Sequence, residues 1–430
     1  MKRGVISLFI LCGISLGTAL FLQWQAESRH RTVPEQSVPE TNLEIYAWED
    51  ERETFEALTA AFMTKYPEIR VNLHFFPTDE YQQSIAIAVN GNQPVDVIAA
   101  ATLAAMANLI EKQQITALDE MLAASAGDLS GIEEMMDYLR LDGNHYLMPY
   151  RNSTWVVYYN RKIFDEAGRD YPQGDWTWTE YARLAAELTD PLKKQFGSIN
   201  FDITSSWWRI PARTAGASNP LLIGDLALFE EAARWNYDLT YEKQAAMPYR
   251  QLTGMSAPNY IDRFLAGEAA MMYGGEWCIP MLNERIARSY PDFSYDVTKL
   301  PYWEGEKAYA IGSPAFLMIP EKSDRKENGL LFLQFACGAE GAGVLARMNL
   351  LPAWDSEEIR QEFQNNMVMP EHTEYFFSDL EIAQIPPSSD YTAAMNLFHD
   401  SIMSYLMGEI SLEEAVGNYR QKWQERTEPR

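Results

Sequence analysis

Cysteine, histidine and positive charge are all scarce in this 430-residue chain, and each shortage excludes a class of protein. Three cysteines, Cys12, Cys278 and Cys337, are too few for a disulfide framework, and five histidines leave little from which to build a zinc site. Lys and Arg number 35 against 61 Asp and Glu, a formal net charge of −26. That balance argues against a nucleic-acid partner, because phosphate binding needs a surplus of Lys and Arg. The signatures of phosphate-loop, serine-hydrolase, H-E-x-x-H metalloprotease and C-x-x-C redox sites are all missing. Gly274-Gly275 and Gly341-x-Gly343 lack the dinucleotide fingerprint, and no repeat of fixed period occurs. No cofactor and no metal are therefore expected. Glu49, Asp50 and Glu276 have the chemistry of a glycosidase carboxylate pair, but among 61 acidic residues such clusters arise by coincidence, so no catalysis is expected. Cys278 and Cys337 read as small buried apolar residues, and their spacing does not decide whether they pair.

What is abundant is aromatic. Trp, Tyr and Phe number 12, 23 and 19, or 13% of the chain, more than a core usually needs, so some rings are expected to line a site. An apolar fraction of 47% with 22% charged residues is ordinary globular composition. Lys2 and Arg3 precede an uncharged apolar run from Val5 to Leu22. As a helix this run rises about 27 Å, at the short end of what spans a bilayer. Trp24 spoils the small-residue pattern of a peptidase site before Ala26, and Leu11 with continuing apolar sequence is the wrong setting for a lipoprotein Cys12. Residues 1–22 are thus expected to be a membrane anchor that stays uncleaved rather than a removed signal. Residues 23–42, polar and carrying Pro34 and Pro39, read as a flexible tether.

Beyond the tether, strand and helix patterns alternate. Asn42 to Trp48 reads as a strand; Asp50 with Glu53 suggests a capping box for a helix carrying Phe55, Leu58, Phe62 and Tyr66, stopped by Pro67. Val71, Leu73 and Phe75 alternate as a second strand, a helix capped by Asp79 runs to about Asn90, and Val95 to Ala100 forms a third strand. This βαβαβ order implies a parallel sheet, with ligands expected beyond its carboxyl ends, near Trp48-Glu49 and Ala100 to Thr102. Further on, Trp155 to Tyr159 is a strand, Thr177 and Glu180 cap a helix, and Asn259 to Ala266 is helical up to Gly267. Ala269 to Tyr273 is a strand running into Gly274-Gly275-Glu276-Trp277, and Ser411 with Glu414 caps a last helix.

Four stretches in order carry a family likeness: FEALTAAFMTKYPEIRVN (55–72); PVDVIAA (94–100); MPYRNSTWVVYYNRKIFDEAG with WTWTEYARLAAELT (148–168 and 176–189); and FLAGEAAMMYGGEW with IGSPAFLMIPEKSDRKENGLLFLQF (264–277 and 311–335). With them the chain resembles the extracellular solute-binding proteins of ATP-binding cassette importers, in the carbohydrate-binding group that includes maltose-binding protein. The resemblance covers about Leu43 to Trp423. It implies an α/β, two-lobed periplasmic-binding-protein-like fold with a ligand cleft between lobes joined by crossing strands. One lobe would comprise 43–149 and 312–350, the other 150–311 and 351–430. It also implies partners: a carbohydrate ligand and the permease subunits that recognise the closed, monomeric protein.

Sugars present an apolar C–H face and a rim of hydroxyls, so their sites pair flat rings with hydrogen-bonding side chains. Trp48-Glu49-Asp50, Tyr150-Arg151-Asn152, Trp207-Trp208-Arg209 and Glu276-Trp277 have that composition at strand ends or turns. Candidate ligand-binding residues are therefore Trp48, Glu49, Tyr150, Arg151, Trp207, Trp208, Glu276 and Trp277. For Trp48 and Glu49 the competing reading is a lobe-surface loop, with Asp50 capping a helix; for Trp207 and Trp208 it is a corner of the second core. Trp277 also matches an aromatic that the family uses for ring stacking. The resemblance adds Gly312 and Ser313 as a loop facing the cleft, and Tyr391 after Pro386-Pro387 as the last lining segment. Asp96 is expected to hold the turn after its strand. Ala99, Ala100, Ala101 and Thr102 stand where the family often has polar or aromatic contacts, which weakens a maltodextrin reading and leaves room for a bulky ligand. Delivery of a mono- or oligosaccharide to an importer is the leading expectation; a membrane-anchored sugar-sensing ectodomain and a carbohydrate-active enzyme are the alternatives.

Overall fold

The computed structural model describes residues 41–101, 108–141, 143–199, 207–252, 257–312, 314–365, 367–377 and 389–428. The proposed anchor, most of the tether, Thr102 and Ser313 lie outside the described residues.

Among the described residues nine strands, numbered in chain order, form two sheets. The first holds β1 (Thr41–Trp48), β2 (Ile69–Phe76), β3 (Val97–Ala100), β4 (Met148–Arg151) and β9 (Ala315–Met318) in the order β2-β1-β3-β9-β4. The second holds β5 (Trp155–Asn160), β6 (Phe196–Ile199), β7 (Ala269–Gly275) and β8 (Tyr295–Lys299) in the order β6-β7-β5-β8. The βαβαβ start makes β1 parallel to β2 and β3 as expected, but β9 enters antiparallel to both β3 and β4, so the sheet is mixed. The first strand begins one residue sooner than the sequence suggests: Thr41 and Asn42 already pair with Ile69 and Arg70.

Each sheet has its own core. Leu43, Ile45, Phe55, Phe62, Val97, Leu317 and Phe332 belong to one; Tyr158, Trp178, Phe229, Met271, Tyr273 and Phe398 belong to the other. The boundaries between them differ from the expected ones. Tyr150 packs with the first core because β4 pairs with β9, and Ala353 and Trp354 join it too, whereas Ala346 and Leu351 fall in the second. Two expected caps also differ. Residues Glu49–Glu51 form a 3-10 turn ahead of the helix Arg52–Lys65, and Asp50 accepts a bond from the Thr78 hydroxyl at 2.9 Å instead of capping. Asp79 likewise does not cap the helix Tyr81–Asn90, whose N-cap position is Glu80. The box at Thr177 and Glu180 forms in full, and Ser411 accepts from the Glu414 N–H.

Among the described residues the chain passes between the sheets at three places, and the passing segments bond to one another. Only Asn152 to Thr154 separates β4 from β5. Asn152 N–H donates to Leu351 O (2.9 Å), Ala353 N–H to Tyr150 O (3.1 Å) and Trp155 N–H to Ile311 O (2.9 Å), with bridges pairing Arg151 with Pro352 and Thr154 with Gly312. Asp96, buried just before β3 and not in the turn after it, accepts from Glu44 N–H, the Ser323 hydroxyl and Arg325, and so ties β1 to the segment after β9.

Close backbone approach within the second lobe depends on Gly197, where an added Cβ would lie 1.8 Å from the Ala185 carbonyl oxygen. Backbone cannot yield as a side chain can, so Gly197→Ala should cost about 1–3 kcal/mol, read as a lowered melting temperature. An unchanged melt would contradict the packing of β6 on the helix Trp178–Glu187.

Candidate functional site

The carboxyl ends of β1 and β3, the end of β4 and the start of β9 meet at one edge of the first sheet; the end of β7 and the start of β5 meet at the facing edge of the second. The crossing segments run between these edges, and most of the candidate residues gather there.

On the first lobe, Trp48 is buried and packs edge-on against Tyr81 at 5.6 Å, while the Tyr81 hydroxyl bonds the carbonyls of Tyr46 and Ala99. Glu49 is half exposed and is held by Arg52 at 2.8 Å, which places it on the lobe surface. Ala99 and Ala100 are fully buried in β3, so neither is an open ledge for a ligand. The residue that organises this edge is Glu51, which the sequence did not single out. It is 3% exposed; it accepts from the Tyr150 hydroxyl at 3.0 Å and pairs with Arg151 Nη1 at 2.6 Å. Burial works against the Arg151 cation, but the Glu51 carboxylate against it more than offsets this and holds the guanidinium protonated. Tyr150 and Arg151 therefore face a carboxylate of their own chain, and the Arg151 Nε has no hydrogen-bond partner.

On the second lobe the rings form a connected series. Trp155, opposite Gly275 in the β5–β7 ladder, meets Trp207 at 4.3 Å and Trp277 at 5.3 Å, both edge-on. Trp207 is 5% exposed and lies parallel to Tyr273 at 6.4 Å, so it is the buried end; Trp155 and Trp277 are half-buried and form the outer end. The Trp277 indole folds back over Gly275, where a Cβ would come within 1.8 Å of the ring, so only glycine permits this pose. Trp155 was missed because it opens an ordinary strand pattern, and only its partner Gly275 puts it at the edge. Trp208 takes the competing role foreseen for it: it sits in the second core between Phe229 and Phe398, with its indole N–H on His399.

Glu276 is wholly buried. Its Oε2 accepts from Thr154 N–H at 3.3 Å, its Oε1 has no partner, and burial pushes its carboxyl up to about 7 against the pull of Arg151. Gly312 is buried in a crossing segment, where it bridges to Thr154. Tyr391 is buried at the start of the helix Ser389–Leu406 beside Arg209, whose cation burial pushes down to about 10 although Tyr391 favours it. Cys278 and Cys337 are free, buried thiols in different lobes, so they do not pair. Among the described residues no group of three His, Cys, Asp or Glu could hold a metal ion.

The raised pKa of Glu276 has a definite consequence for stability. The carboxyl binds its proton more tightly folded than unfolded, so its contribution is complete below about pH 4.5 and is lost as pH rises through about 7. The full loss is about 3 kcal/mol. Melts from pH 5 to 9 should show this decline in the wild type and a flatter profile in Glu276→Gln; parallel profiles would contradict the burial of the charge.

The profile of the bacterial extracellular solute-binding protein family matches residues 47–343. Among curated relatives, an arabinooligosaccharide-binding protein of Halalkalibacterium halodurans is 20% identical over 376 residues, covering 80% of this chain and 81% of the relative. Among solved structures, a substrate-binding protein of Listeria monocytogenes in complex with cycloalternan superposes with a TM-score of 0.78 at 22% identity, over 90% of this chain and 99% of that one. A sugar transporter of Rhizobium etli in an open conformation gives 0.77 at 20% identity, over 89% and 99%. The two sheets, the three crossings and the family match agree: the chain belongs to the bacterial extracellular solute-binding proteins.

Proposed function

We propose that this protein captures a mono- or oligosaccharide outside the cytoplasm and hands it to an ATP-binding cassette permease, closing its two lobes over the sugar. The observation that carries this reading is the half-buried pair Trp155 and Trp277 at the crossing edge, backed by Trp207. Flat indole faces suit the C–H face of a pyranose or furanose ring. Trp48, Tyr150, Arg151 and Glu276 border the same junction, although Tyr150 and Arg151 act mainly through Glu51. The arabinooligosaccharide and cycloalternan named for two similar proteins are the first sugars to try. In this reading the protein binds without turnover, acts as a monomer and stays tethered to the membrane through residues 1–22. Mass spectrometry of the native membrane fraction should find the intact N-terminus; a chain starting near Glu27, or a lipid on Cys12, would contradict the tether.

A thermal-shift screen against a glycan panel tests the sugar class, since specific binding to the folded state raises the melting temperature. With the sugar found, Trp277→Ala should weaken binding about five- to thirty-fold, the loss of roughly 1–2 kcal/mol of ring contact. Trp208→Ala should instead cost about 3–5 kcal/mol of folding stability. Equal affinities for Trp277→Ala and wild type would remove the indole face from the site.

A further inference from the structure

Large aliphatic side chains left in water are few among the described residues, and half of them sit together. Ile87, Leu192 and Val368 are exposed singly, whereas Leu221, Leu222 and Ile223 are consecutive and 37%, 55% and 89% exposed. Single exposed aliphatics need no explanation; a run of three does. The run is held in place by its polar neighbours. Asp225 Oδ2 accepts from the N–H groups of Ser218 and Asn219 at 2.8 and 2.7 Å, and Asn219 Oδ1 accepts from Leu221 N–H at 3.0 Å. The Tyr419 hydroxyl donates to Pro220 O at 3.4 Å. With these polar groups satisfied internally, the aliphatic side chains stand outward at the start of the helix Ile223–Tyr237. Behind them Pro220, Leu226, Tyr419 and Trp423 line an open groove against the last helix, Leu412–Thr427.

We propose that Leu221, Leu222, Ile223 and Trp423 form a foot on which the second lobe rests against a phospholipid bilayer. This rests on the membrane tether of the proposed function but not on the ligand being a sugar. Half-buried Trp423 has Arg420 and Arg426 one turn away on either side along its helix. Aliphatic tips, an indole and long cationic side chains suit the headgroup layer: the tips enter the acyl boundary, the ring lies among headgroups, and the arginine stems reach back to phosphates. Charge permits the contact here. A net charge of −26 keeps most of the surface off a negative membrane, but around this groove Arg420, Lys422 and Arg426 balance Glu230, Glu425 and Glu428. The chain ahead of β1 brings the bilayer within reach, since residues 23–40 extend to about 60 Å and let any face of the folded body turn to it. A second copy is the poorer occupant, because a stable dimer buries about 800 Å² per partner and three aliphatics supply little of that. A contact backed by an anchor needs far less, as two weak membrane signals together hold what one does not.

The test places a spin label at Gln424→Cys, an exposed position on the groove that leaves the aliphatics intact, in the full chain with Cys12→Ser in phosphatidylcholine vesicles. Cys278 and Cys337 are buried away from the reagent. Collisions with oxygen, which concentrates in lipid, and with a water-soluble nickel chelate report the label's surroundings. The oxygen-to-nickel ratio should be several-fold higher at Gln424→Cys than at Leu192→Cys, an equally open position in a separate loop before β6. Replacing Leu222 and Ile223 by Ser should bring the ratio down to the Leu192→Cys value with the melting temperature unchanged. Equal ratios at the two positions, a ratio indifferent to the Ser pair, or a label shielded from both reagents, as a second copy would shield it, overturns the foot. A label on the native Cys12 reads the tether separately: Cys12 in water with Gln424→Cys in lipid rejects the tether and keeps the foot, and the reverse pattern rejects the foot alone.

Discussion

The buried contact of Glu51 with Tyr150 and Arg151 is the constraint on which the junction of the lobes depends. Taking a guanidinium out of water is costly, and Glu51 offsets the cost only if the turn after β1 and the end of β4 hold one relative position. Residues 99 positions apart are thereby pinned together, with no freedom to slip. The phenol of Tyr150 packs edge-on against Phe55, so the same contact seats the helix Arg52–Lys65 on its sheet. Breaking the pair would leave a charge stranded in the first core, so this edge is rigid.

Rigidity on one side of the crossing gives the other side its function. Asn152 leaves β4 bonded to Leu351, and Trp155 enters β5 bonded to Ile311, so all three passing segments are joined at one narrow band. Two separate cores linked there can rotate as bodies, because little apolar packing has to be broken when they do. The tryptophans stand at the second-lobe margin of that band, where a ligand touching both lobes would be enclosed as they turn.

Much of this was legible in the chain. The alternation of Val71, Leu73 and Phe75, the helical spacing of Phe55, Leu58 and Phe62, and the Thr177–Glu180 cap are local patterns with local causes, and each formed where expected. Other features depend on partners distant in sequence. β9 joins the first sheet antiparallel because the chain returns after a whole lobe, which no window of sequence records. Asp50 had a capping sequence but found Thr78. Glu51 was hidden among its acidic neighbours, its role defined by residues of another strand. Trp208 matched the composition of a sugar site and lies in the core, because composition does not say which side of a 3-10 turn faces inward.

A crystal structure of the protein with the glycan selected by binding tests the account most directly. The account predicts one sugar ring lying against the Trp155 and Trp277 indoles, with the two sheets otherwise unchanged and rotated about the crossing at Asn152 to Thr154. A glycan bound away from that edge, or lobes that do not move relative to one another, would contradict it.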